Sequence, residues 1–236
     1  MTDNIATNRD MVQKVANFLG DLVNEVVFLG GAATGLLITD SAASDIRPTK
    51  DVDVIVEVTT TADYHRLADE LRGRGFREDT RDDAPLCRWL IEDMVVDVMP
   101  TDETSLGFGN RWYKDAYSHA KTMVLDSLDV RVVTGPYFLA TKIEAFSGRG
   151  NEDFMASHDM EDVIALIDGR PGLIDEIAQE SEALLSFLAQ TFGRLKDNQR
   201  FRESLPGHLA GDIASQQRLP ILEARIEKIS RLIKET

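Results

Sequence analysis

Three aspartates carry the residue types and spacing from which chemistry can be argued. Asp51 and Asp53 stand two apart in Asp51-Val52-Asp53-Val54-Ile55-Val56-Glu57-Val58. Such alternation predicts a strand, in which positions i and i+2 share a face about 7 Å apart along the backbone. Both carboxylates then point one way, and Val52, Val54, Val56 and Val58 point into a core. Two like charges on one face are tolerated if that face is solvated, or if a cation sits between them. Asp97 is the third acid. It lies in the otherwise apolar run 94–99, where a lone carboxylate is costly to bury without a partner. If its strand pairs beside the Asp51 strand, the three acids converge. Oxygen ligands of this kind suit Mg²⁺ or Mn²⁺ together with phosphates. Two such ions activate an attacking hydroxyl and neutralise a triphosphate during in-line displacement. The competing reading of Asp51 and Asp53 is an edge strand with a solvated polar face.

The segment upstream favours the first reading. Residues 25–29 predict a short buried strand ending in Gly30-Gly31, and residues 32–38 a helix packed closely on it. A glycine turn between strand and helix lets backbone N–H groups approach phosphate oxygens. Arg47 and Lys50 flank the acid pair and are either surface charges or triphosphate ligands, for which a guanidinium is well shaped. The remaining elements support an α/β order. Asn8 is a candidate cap for a first helix, and residues 62–72 predict another closed by Gly73 and Gly75. Residues 86–91 and 94–99 predict two strands joined at Glu92-Asp93, and residues 128–133 a further one. Pro136 opens a helix running to about Phe146, residues 147–153 a Gly-rich loop, and residues 159–167 a helix stopped by Asp168-Gly169-Arg170-Pro171. From Leu173 onward only helical periodicity remains: one amphipathic stretch through Phe192, and another opened by Pro220.

Phe28-Leu29-Gly30-Gly31, Arg47-Pro48-Thr49-Lys50-Asp51-Val52-Asp53-Val54 and Val96-Asp97-Val98 together resemble the nucleotidyltransferase (DNA polymerase β-like) superfamily. Its pattern is a hydrophobic residue with a Gly-Gly or Gly-Ser pair, then D-x-D or D-x-E, then a third acid on a later strand. The Arg47-x-Thr49-x-Asp51-x-Asp53 form is similar to the AbiEii-like branch, which includes toxins of toxin–antitoxin systems. Further on, Lys142-Ile143-Glu144-Ala145-Phe146, Arg149 and His158-Asp159-Met160-Glu161-Asp162 resemble that branch's later motifs, with His158 in place of the usual Lys. The likeness spans about residues 25–170. It implies that Asp51, Asp53 and Asp97 hold the metals, with Asp97 also a candidate general base for the acceptor hydroxyl. It implies nucleotide contacts from Gly30, Gly31, Arg47, Thr49, Lys50, Lys142 and Asp159. Read without it, Lys142 is a snorkelling surface lysine.

Other residues carry less. His65, His119, His158 and His208 show no zinc-type spacing. Cys87, the single cysteine, precludes an internal disulfide and suits a reducing cytoplasm. Asn110-Arg111-Trp112-Tyr113 either stacks a base or simply packs. The 41 acidic and 26 basic residues give a net charge of −15, concentrated in residues 1–170 and nearly absent from 171–236. An acidic surface repels nucleic acid unless a basic patch intervenes. No apolar run approaches the roughly 18 residues that cross a bilayer, and no secretory signal is expected at the N-terminus.

The expected architecture is a mixed sheet flanked by helices in residues 1–170, followed by a helical C-terminal region in 171–236. The expected activity is transfer of a nucleoside monophosphate from an NTP to a hydroxyl on tRNA, a protein or a small molecule, with a toxin restrained by an antitoxin as one biological setting. The alternative is a catalytically degenerate nucleotide-binding or protein-interaction module.

Overall fold

The computed structural model describes residues 4–58, 60–107, 109–150 and 152–232. The chain is an α/β protein with a mixed sheet, flanking helices and a helical C-terminal region. It divides into two compact units, Met1–Leu36 with Pro48–Thr134, and Leu37–Arg47 with Gly135–Thr236. Residue 170, where the helical periodicity begins to stand alone, lies within the second unit. The change from sheet to helices comes at Thr134, because the helices Gly135–Arg149 and His158–Gly169 belong with the later ones.

In the first unit the strands are β1 (Val26–Leu29), β2 (Asp51–Val56), β3 (Arg77–Glu78), β4 (Arg88–Ile91), β5 (Met94–Pro100), β6 (Lys121–Leu125) and β7 (Leu128–Val132). Among the described residues they form a seven-stranded sheet in the order β3-β4-β5-β2-β1-β7-β6. The most apolar runs take the centre, as strands covered on both faces require. Val26, Val27, Phe28 and Leu29 of β1 are all buried. β2 follows its sequence pattern at first: Val52 and Val54 are buried and Asp51 and Asp53 half-buried. Ile55 then breaks the alternation, buried on the face that Asp51 and Asp53 share.

Two tight hairpins set register. Ile91 pairs with Met94 and Leu125 with Leu128, leaving two-residue turns at Glu92-Asp93 and Asp126-Ser127. Glu92 and Asp126 have φ of 50° and 55°, the left-handed backbone that such short turns demand. The Lys121–Leu125 strand lacks a sequence signal, since four of its five residues are exposed or half-exposed and give no clean apolar alternation.

Helices α1 (Asn4–Leu19), α2 (Gly30–Leu37), α3 (Thr61–Gly73) and α4 (Tyr113–Ser118) accompany the sheet strands in sequence. Asn8 does not cap α1. It lies inside the helix, fully buried, and its Oδ1 accepts the Thr49 backbone N–H at 3.3 Å. The second unit holds α5 (Gly135–Arg149), α6 (His158–Gly169), α7 (Leu173–Ala178), α8 (Glu182–Asp197), α9 (Gln199–Ser204), α10 (Ile213–Gln216) and α11 (Leu219–Ser230). The stretch through Phe192 is two helices, because the Ser181 hydroxyl accepts the Leu184 N–H and starts α8 afresh. Helix α5 runs on to Arg149, through part of the segment expected to be loop. Arg218 Nε donates to both Asp168 oxygens at 3.0 and 2.8 Å and its Nη2 to Asp40 at 2.7 Å, tying the start of α11 to the end of α6 within this unit. Among the described residues no helix is long and apolar enough to cross a membrane.

Candidate functional site

β2 and β5 run parallel with Asp53 directly beside Asp97. Neighbours in register project on the same face of a sheet, so the third acid joins the pair. On the other side, β1 pairs antiparallel with β2 and sets Leu29 opposite Asp53. The chain leaves β1 at Gly30, whose φ is +70°. A Cβ placed on Gly30 would lie 1.8 Å from Asp53 Oδ2 and 2.6 Å from its Cγ. The Asp53 carboxylate therefore sits against the turn itself, and only glycine leaves it room.

Asp51 is held from the loop before it. The Thr49 hydroxyl donates to Asp51 Oδ1 at 2.9 Å, and buried Asn8 fixes the Thr49 backbone. Thr49 is buried with its hydroxyl directed at Asp51, whereas Lys50 is exposed.

Arg88 is the residue the sequence reading missed. It lies opposite Asp97 across the β4–β5 hairpin. Its Nε and Nη2 donate to Asp97 Oδ1 and Oδ2 at 2.8 and 2.7 Å, and Nη2 lies 3.8 Å from Asp51 Oδ2. These hydrogen bonds hold the guanidinium still more firmly protonated. The fork lets Asp97 stay only 8% exposed between two fully buried valines. A signal was present: a two-residue turn at Glu92-Asp93 places residue 88 opposite residue 97.

Among the described residues, no group of three or more acidic, histidine or cysteine side chains stands close enough together to hold a metal ion. The carboxylates of β2 and β5 share a face, but both Asp97 oxygens are turned to Arg88. The donors are still of the right kind. Asp51 and Asp53 would offer hard oxygen donors beside a glycine turn, and the cluster already accommodates a cation, the guanidinium. Cys87 is no nucleophile here, since burial first and then the Asp97 charge push its thiol up to about 12. Trp112 is buried, with Asn110 Oδ1 accepting its backbone N–H at 3.1 Å, while Tyr113 is half-buried and Arg111 exposed.

The other sequence-selected residues lie in the second unit and form a charge network. Lys142 is buried, not snorkelling. Its Nζ lies 3.2 Å from Asp159 Oδ1 and 2.7 Å from Asp162 Oδ2. Arg47 forks Asp162 at 2.9 and 3.0 Å, and Arg149 forks Asp159 at 2.9 Å through both nitrogens. The Asp162 side chain is 1% exposed, while that of Arg149 is 72% exposed. Burial raises the Asp159 carboxyl, but Arg149 and Lys142 outweigh it and hold the group below 3.8.

Replacing Gly30 by alanine tests the turn. A side chain at φ +70° costs about 1–2 kcal/mol, and the Cβ must also expel Asp53. Urea denaturation is expected to show a loss of about 1–3 kcal/mol. A variant as stable as wild type would mean that Asp53 and the turn are not in contact.

No family model matches the chain, and no curated protein matches it. Among solved structures the chain is similar to an antigenic nucleotidyltransferase-like protein from Paracoccidioides brasiliensis, at 20% identity over 83% of this chain and 91% of that one, with a TM-score of 0.44.

Proposed function

We propose that this chain is a metal-dependent nucleotidyltransferase that moves an NMP from an NTP to an acceptor hydroxyl and releases pyrophosphate. One observation carries the reading: Asp53 lies against the left-handed Gly30 turn, with Asp51 two residues before it and Asp97 beside it in register. Paired acids at a strand-to-helix glycine turn bring a cation site and backbone N–H donors to the same place.

Asp51 and Asp53 are the residues proposed to hold Mg²⁺ or Mn²⁺, with Asp97 completing the set. When bound, the metal polarises the phosphate oxygens and neutralises charge developing on the leaving pyrophosphate. The protein's own contributions are separate. Gly30 and Gly31 open α2 and offer N–H groups to phosphate oxygens. Thr49 and Asn8 keep Asp51 oriented. Asp97 takes the acceptor proton in this scheme. Nucleotide contact by Arg47, Thr49, Lys50, Lys142 and Asp159 belongs to the proposal on the strength of the motif pattern. So does an AbiEii-like toxin role, with tRNA or a protein as acceptor and an antitoxin as partner, acting in the cytoplasm.

A second reading, a nucleotide-binding module without turnover, is favoured by the Arg88 fork on Asp97. The two separate when each α-labelled NTP is incubated with the protein, Mg²⁺, and pools of tRNA, protein and small molecules. Label is expected in one acceptor class. Saturable nucleotide binding with no label in any pool would establish the module instead.

A further inference from the structure

Three carboxylates and one guanidinium share a face of the sheet, and the guanidinium is not placed by chance. Arg88 is fixed opposite Asp97 by the two-residue hairpin. Its side chain is 23% exposed, and it donates two N–H bonds to Asp97, whose side chain is 11% exposed. The same Nη2 leans toward Asp51 at 3.8 Å. Also facing the cluster are Asp53, the Thr49 hydroxyl donating to Asp51, and the Cys87 thiol, which the nearby Asp97 and Asp53 charges help to keep protonated. Arg88 thus brings a cation to both Asp97 and Asp51 on this sheet face. A second cation arriving at Asp51 and Asp53 feels this charge at short range, where Coulomb repulsion is weakly screened.

Resting on the reading of Asp51 and Asp53 as metal ligands, we infer that Arg88 is a positioning residue that competes with the divalent ion. It holds Asp97 in the absence of metal and must yield at least one of its two hydrogen bonds before Asp97 joins Asp51 and Asp53 around the ion. Without Arg88, Asp97 loses both of these hydrogen bonds, and a bound metal ion compensates its charge in their place. With it, the site stays folded and ordered while unloaded, at a cost in metal affinity.

Mn²⁺ titration of the full chain, followed by the electron paramagnetic resonance of free Mn²⁺, tests this without reference to turnover. Arg88→Met is expected to bind Mn²⁺ at least about tenfold more tightly than wild type, or about 1.4 kcal/mol. Arg88→Lys keeps the charge but loses the fork, and is expected to fall between them. Affinity in Arg88→Met or Arg88→Lys equal to or weaker than wild type overturns the inference. In the unmutated chain, the Arg88 Nε–H resonance, identified by its loss in Arg88→Lys, is expected to shift with Mg²⁺ and saturate with binding. A resonance unmoved by saturating Mg²⁺ overturns the inference even if Arg88→Met fails to fold. The two readings fail differently. If wild type binds Mn²⁺ and Arg88→Met no more tightly, only the competition is wrong. If no protein binds Mn²⁺, the metal-dependent function falls with it.

Discussion

Asp53→Asn is expected to abolish label transfer while leaving the fold as stable as wild type, or more so. A metal acting on a phosphoryl group contributes several kcal/mol of transition-state stabilisation. Loss of about 4 kcal/mol corresponds to a rate lower by about 10³-fold. The stability side runs the other way. Asp51 and Asp53 are like charges on one strand face, so neutralising one relieves repulsion in the absence of metal. Asparagine keeps the size of aspartate and retains a carbonyl acceptor beside Gly30. A residue kept for structure would show the opposite pattern, with melting temperature and activity falling together. A thermal melt without metal, beside the transfer assay, checks both halves. Transfer within about tenfold of wild type would remove Asp53 from the reaction.

Asp162→Ala is expected to destabilise the second unit by about 3–5 kcal/mol, the range for breaking a buried ion pair from one side. Asp162 accepts from Arg47 through both oxygens and from Lys142 at 2.7 Å, with 1% of its side chain exposed. Truncation removes the acid shared by Arg47 and Lys142, whose side chains are 15% and 9% exposed, while Asp159 still meets Lys142. Replacing Arg47 and Lys142 by Met in the same chain is expected to recover part of the loss, since an apolar substitute for a whole buried network is often neutral. Urea denaturation at neutral pH measures both. A loss below about 1 kcal/mol in the single variant would show the network to be solvated. The same network makes stability depend on acid. The Asp159 carboxyl is held below 3.8 in the folded chain, so its contribution is complete at neutral pH and is lost as pH falls below about 4.

The central strands were legible because their residues leave little choice. Residues 51–56 and 94–99 alternate or run apolar at the lengths strands take, and Asp97 in the second run asks for a partner. The glycine turn was legible as a turn, though not the contact of Asp53 with it, which depends on β1–β2 register across a long connection. The Lys121–Leu125 strand was missed because it lies at the sheet edge with most side chains exposed. Asn8 misled because asparagine near a helix start is usually a cap, whereas here the helix begins earlier and the side chain serves a distant loop. Taken without the motif pattern, Lys142 misled in the opposite sense. A lysine among apolar residues looks able to snorkel, and only the fold supplies two acids from α6 to bury it. Arg88 needed no tertiary information beyond the hairpin, but its weight depends on both Asp97 and Asp51 lying within its reach.

Crystals soaked with Mn²⁺ and a non-hydrolysable NTP, read by anomalous scattering, test the proposed site most directly. The expected result is a manganese peak bound by Asp51 and Asp53 beside the Gly30 turn, with nucleotide phosphate oxygens completing its ligands. A peak elsewhere, or nucleotide bound away from that turn with no ion on the two aspartates, would contradict it.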